Sequence, residues 1–252
     1  KVVNPFQLHI KGELTHWLVQ RGVALLFSTY QAGKVIMIGP NKGKLTVSER
    51  NFGRAMGLVP VEDGLLLGTE YAVWRFRNGL KPGYQYEGWD KIFLPQDSHV
   101  TGSVDTHDID VDKDGNVVAA ITGYNCLAIL DKTGNFSPIW KPPFISKIIG
   151  EDRCHLNGFC MEEGEVAYAS VVAKSNTAGG WRDHRVDGGM IIDARTDEVV
   201  VGGLSMPHSP RLYQGKLWIL EAGTGYFGYV DLEHNKFIAM TWCPGFTRGL
   251  RF

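Results

Sequence analysis

Three histidines, His107, His155 and His208, head segments of similar outline: Thr106-His107-Asp108-Ile109-Asp110, Arg153-Cys154-His155-Leu156-Asn157-Gly158-Phe159 and Pro207-His208-Ser209-Pro210-Arg211. Imidazole is the commonest protein ligand for transition metals. Three neutral rings meeting at one point leave positions open for water or substrate on zinc, iron or copper. A metal held in this way acts as a Lewis acid or activates water. His99, eight residues before His107, is a candidate fourth ligand from a loop. Asp105, Asp108 and Asn157 stand where ring-orienting partners are needed, and Asn157 is also a candidate substrate-binding residue. A lone histidine at the head of a strand usually just bonds a neighbouring carbonyl. Recurrence at one phase is what favours a shared polar site.

Arg153, Arg211 and Arg248 fall near the same phase, and guanidinium groups there would grip a carboxylate or phosphate in bidentate fashion. The plainer alternative is ion pairing with Asp105, Glu151 or Glu221. Glu221, after the apolar run 217–220, is the candidate general acid or base, with Asp105 as a second catalytic carboxyl. The segment Thr177-Ala178-Gly179-Gly180-Trp181-Arg182-Asp183-His184-Arg185 has a glycine hinge before an aromatic and a cation. It reads either as a flap that brings Trp181 and Arg182 onto substrate or as a solvated loop. No glycine-rich phosphate loop, nucleophile elbow or Cys-His protease signature is present.

The elements that must position these side chains follow from the spacing. The histidines lie 48 and 53 residues apart. Each is followed by a turn signal (Asp112-Lys113-Asp114-Gly115-Asn116, Glu162-Glu163-Gly164, Gln214-Gly215-Lys216) and then by an apolar strand. A period of this size is that of a β-propeller with one four-stranded blade per repeat, whose first strands line a central channel. Four units are complete, opening at Ala55-Met56-Gly57 and at the three histidines. The N-terminal part offers three strands without an opening one, and Thr247-Arg248-Gly249-Leu250-Arg251-Phe252 reads as an opening strand without successors. Pairing the two would close a five-bladed, all-β propeller and leave no free edge; a longer chain would have six blades. A sandwich would show strands without the long repeat. Residues 14–20 read as a short helix with Leu14, Trp17 and Leu18 on one face. The expected division is an N-terminal extension, 1–22, and a propeller domain, 23–252. Residues 89–104, 141–153 and 175–188 read as long loops.

Composition narrows the function. Thirty-one glycines in 252 residues, with 44% hydrophobic residues, describe a turn-rich folded chain rather than a disordered one. A formal net charge of −1 lacks the basic excess of a nucleic-acid binder. No apolar run is long enough to span a membrane, and none in the first twenty residues resembles a secretory leader. A cytoplasmic location is the expectation, with a removed leader as the alternative. Cys126, Cys154, Cys160 and Cys243 show no zinc-type spacing and are expected to be reduced core residues.

Pro142-Pro143-Phe144-Ile145-Ser146, Glu151-Asp152-Arg153-Cys154-His155-Leu156-Asn157-Gly158, Leu204-Ser205-Met206-Pro207-His208-Ser209-Pro210-Arg211 and Pro244-Gly245-Phe246-Thr247-Arg248-Gly249-Leu250 resemble a bacterial family of hypothetical proteins designated by serial number rather than by activity. Thr29-Tyr30-Gln31-Ala32-Gly33-Lys34 is similar as well. The resemblance implies a propeller-like fold and no particular reaction, and it implies a further blade beyond the Gly-Phe-Thr-Arg-Gly segment. Two classes of function follow. One is a metal-dependent lyase, hydrolase or oxidoreductase acting on a small anionic substrate or peptide end. The other is a non-catalytic propeller that binds a ligand or protein. Calcium-dependent lactonase-like chemistry would need a carboxylate-rich channel and ranks below both.

Overall fold

Alternating apolar residues and short Gly- or Asn-bearing turns build five antiparallel sheets, seen in a computed structural model that describes residues 9–10, 12–131 and 133–252. The first blade has three strands, β1 (Leu25–Thr29), β2 (Lys34–Asn41) and β3 (Lys44–Asn51). The second has four: β4 (Leu58–Val61), β5 (Gly64–Gly68), β6 (Ala72–Asn78) and β7 (Phe93–Val100). The third holds β8 (Thr106–Val111), β9 (Val117–Ile121), β10 (Cys126–Ile129) and β11 (Ser137–Trp140). In the fourth are β12 (Leu156–Glu162), β13 (Glu165–Val171), β14 (Gly189–Asp193) and β15 (Glu198–Leu204). The fifth has β16 (Pro207–Tyr213), β17 (Lys216–Glu221), β18 (Tyr226–Asp231) and β19 (Lys236–Trp242). In every blade sequence-adjacent strands pair in order. The chain is a five-bladed β-propeller.

The core lies between blades. Val59, Leu66 and Val73 of blade two pack on Ile109, Ala119 and Ile121 of blade three. Val118, Ala120 and Leu127 of blade three meet Leu156, Phe159 and Val171 of blade four. Tyr168, Ile191 and Val201 of blade four meet Leu217, Ile219 and Val230 of blade five. Middle strands buried on both faces explain the unbroken apolar run of β9. Cys126, Cys154 and Cys160 are buried and reduced, and burial raises all three thiol pKa values, to about 12 for Cys126 and Cys160. They are core residues.

Three expectations are corrected. The segment 89–104 is not a loop, because it contains β7, the outermost strand of blade two. β7 pairs only with β6 and carries Pro95 beside a register shift, so its outer face is polar and lacks the alternation that marks a strand. Residues 247–252 add no strand to blade one, where β1 pairs with β2. They run along the channel instead: the Gly249 N–H donates to Ser209 Oγ at 3.1 Å, Arg251 pairs with Asp110 at 2.8 Å and Phe252 stacks on Tyr213. The short helix, α1 (Leu14–Arg21), forms and stops at Gly22 in the left-handed conformation. Its Leu18 is buried against Ile36 and Ile38 of β2, while Trp17 is exposed rather than on the packed face. Residues 1–8 and 11 of the expected extension lie outside the described residues.

Candidate metal and ligand site

One side chain from the start of each later blade, and one from the C-terminal segment, converge on the channel. Met56, His107, His155 and His208 precede or begin β4, β8, β12 and β16, and Arg248 completes the ring, its Nη1 3.5 Å from Met56 Sδ. Met56-Gly57-Leu58 and Arg248-Gly249-Leu250 are in fact the same phase of the repeat. The backbone turns sharply before each first strand. Arg54, Asp105 and Met206, each two residues before its ring position, have positive φ, as do Asp152 and His155 in blade four. Non-glycine residues in this region store local strain, which is concentrated at functional sites.

All three imidazoles are anchored through Nδ1. His107 bonds the Asp105 carbonyl at 3.1 Å, His155 the Asp152 carboxylate at 2.9 Å and His208 the Met206 carbonyl at 2.8 Å. With Nδ1–H donating, each Nε2 carries the free lone pair, the tautomer a metal requires. The His107 and His155 rings meet edge to face at 4.8 Å, and Trp181 stacks on His155 at 4.1 Å while donating its Nε1–H to Asp152 Oδ2. One ligand atom from each of Asp105, His107 and His155 lies within 4.8 Å of the others. Burial, then the neighbouring His155, holds His107 well below the ordinary imidazole pKa; burial, then Arg248, pushes His208 down to about 3. Both rings are neutral at neutral pH. Burial, and then the Asp152 charge, raises the Asp105 carboxyl.

A cavity of about 300 Å³ opens beside this cluster, lined by Tyr30, Met56, His107, Asn157, His208 and Arg248 among others. Arg248 lies 5.0 Å above both the Tyr30 and Phe246 rings and has no carboxylate within 4.0 Å among the described residues. Burial lowers its pKa.

The other predicted site residues are engaged elsewhere. Arg211 is locked to Asp108, Nη2 to Oδ1 at 2.8 Å and Nη1 to Oδ2 at 2.9 Å, and its Nη1 also donates to the Phe159 and Pro210 carbonyls. Arg153 is held by Glu151, Asn176 and Ser146. Arg182 lies over the Trp181 ring at 4.6 Å and donates to the Gly179 carbonyl. Glu221 accepts from the Ser205 N–H at 3.1 Å and the Thr224 hydroxyl at 2.5 Å, so it braces a turn rather than facing the channel. His99 sits on outermost β7 and bonds the Asn135 carbonyl at 2.7 Å, which removes it from the ligand set. His208 shares the ring, but Asp105 rather than His208 completes the tight group with His107 and His155. Asn157 reaches His208, its Nδ2 3.4 Å from Nδ1. The sequence reading missed Met56, whose signal was the shared Met/Arg-Gly-Leu phase, and Asp152, an acid three residues before His155. It also missed Tyr30, which no repeat marks.

Residues 12–252 match the family described as Domain of unknown function (DUF4915). The chain belongs to that family. No curated protein matches its sequence. Solved structures similar to this DUF4915 chain include virginiamycin B lyase from Staphylococcus aureus, with a TM-score of 0.48 and 12% identity over 86% of this chain and 66% of the lyase. A luciferin-regenerating enzyme has a TM-score of 0.46 and 15% identity over 88% of this chain and 73% of its own. The glutaminyl cyclase of Myxococcus xanthus has 0.42 and 13%, over 77% and 79%. This chain thus spans slightly less than two thirds of the lyase's length.

Proposed function

We propose that the DUF4915 channel is a transition-metal site of an enzyme that acts on a small anionic substrate. The observation that supports this reading most is the Asp105, His107 and His155 group, whose ligand atoms lie within 4.8 Å of one another, beside Arg248, which has no carboxylate within 4.0 Å among the described residues. Two imidazoles and a carboxylate suit zinc or iron and leave positions free for water or substrate. A bound metal would supply Lewis-acid or water-activating chemistry. Arg248 would bind the substrate's carboxylate or phosphate, with Tyr30 and Phe246 stacked on its faces to hold the guanidinium plane. Asp152 and Trp181 would fix the His155 ring. Asp105 would serve as the carboxylate ligand beside the two histidines.

A non-catalytic ligand-binding propeller is the second reading. Engagement of Glu221 by Ser205 and Thr224 favours it, since the general acid or base expected from the sequence is occupied. Metal titration separates the two. Tag-free protein, stripped and then offered zinc, iron(II) or copper against a chromogenic chelator, is expected to take up near-stoichiometric metal, and a folded His107→Ala/His155→Ala variant to take up none. No uptake by the parent would leave the binding propeller.

A further inference from the structure

Two hydrogen-bond acceptors on the cavity wall have no partner among the described residues. His208 donates through Nδ1 to the Met206 carbonyl, so its neutral Nε2 is an acceptor, and that atom is buried and unpaired. Asn157 donates through Nδ2 to the Pro207 carbonyl at 2.9 Å, which fixes its amide orientation and leaves Oδ1 buried and unpaired. Both side chains line the cavity and both residues are 2% exposed. Asn157 Nδ2 lies 3.4 Å from His208 Nδ1, so the two side chains are neighbours on the wall. Buried polar atoms are nearly always paired, so two orphans on neighbouring side chains of one cavity mark a place for a ligand's donors.

Charge sets the rest of the ligand. Asp108 with Arg211 and Arg251 with Asp110 are mutual pairs, so Arg248 is the cavity's unbalanced charge among the described residues lining it. Its guanidinium only donates and suits an anion. The two orphan acceptors are neutral, and among the described residues no free carboxylate lines the cavity to balance an ammonium, so the complementary group is a neutral donor. At ~30 Å³ per water-sized group, the cavity of about 300 Å³ holds a molecule of roughly ten non-hydrogen atoms.

We propose that the cavity binds small monocarboxylates that also carry a neutral two-donor group, a primary carboxamide being the simplest, with the carboxylate on Arg248 and the donors on His208 Nε2 and Asn157 Oδ1. This names the substrate class of the reading above and rests on its assignment of Arg248 as the anion anchor, but not on the metal.

Calorimetry with three probes tests it on the full chain, once chelator-treated and once zinc-loaded. Succinamate carries the carboxylate and both donors; its N,N-dimethyl amide and monomethyl succinate keep the carboxylate and lack the donors. Succinamate is expected to bind at least about tenfold more tightly than either analogue, because each leaves buried acceptors unmatched. Arg248→Gln should weaken all three probes, and His208→Phe should erase the preference for succinamate. Equal affinities in the parent, or no binding of succinamate, would overturn the inference even if His208→Phe fails to fold. Discrimination by a protein that retains no zinc would sustain it while removing the metal reading.

Discussion

Replacing Arg211 by leucine separates a structural arginine from a substrate-binding one. Its side chain is 11% exposed and that of Asp108 is 7% exposed. Without the guanidinium, the Asp108 carboxylate keeps, among the described residues, only the Ile109 N–H at 3.0 Å and the Phe159 N–H at 3.3 Å, and the Phe159 and Pro210 carbonyls lose a donor. Stranding one partner of a buried pair costs about 3–5 kcal/mol. For a chain of this size that corresponds to a fall in Tm of about 6–20 °C. Exchanging both partners for leucine removes the stranded charge, so Asp108→Leu/Arg211→Leu should recover most of the loss. Urea denaturation monitored by tryptophan fluorescence measures all three proteins. A single-variant loss below about 1 kcal/mol, or a double variant less stable than Arg211→Leu, would refute the reasoning.

Two further outcomes follow from the same geometry. Burial, then the Arg248 charge, pushes the His208 imidazole down to about 3 from the ordinary 6.5, so the unfolded chain binds the extra proton between these values. Stability therefore falls as pH drops through that window, by up to about 1.4 kcal/mol per pH unit from this group. In chelator-treated protein His208→Phe should flatten the slope by that amount, and an unchanged slope would count against a buried neutral ring. Asp152→Ala removes the acceptor that orients His155; metal affinity in the chelator competition should fall about 10- to 100-fold while the fold persists by circular dichroism. Unchanged affinity would place the metal elsewhere.

The propeller was legible because its period is carried by turn chemistry and apolar strands, both local. The three histidines were legible for the same reason, since they recur at one phase. The parts that stayed hidden depend on contacts distant in sequence. Arg211 and Asp108 are 103 residues apart, and nothing around either names the other, so Arg211 read as free for substrate. Arg248 looked equivalent to it but met only aromatic rings and a thioether. β7 was hidden by its exposed, one-sided position. The placement of residues 247–252 along the channel depends on Ser209, Asp110 and Tyr213, none of which marks the segment as anything but a strand. His99 was close in sequence to His107 but one blade away, because β7 ends blade two where β8 opens blade three.

Anomalous diffraction from crystals of the zinc-loaded protein, recorded on both sides of the zinc absorption edge, tests the central claim most directly. The expected result is one strong peak within about 2.3 Å of nitrogen and oxygen atoms from His107, His155 and Asp105. A channel without a peak, in protein whose zinc is instead found on surface side chains, would contradict the claim that this histidine cluster is a metal site.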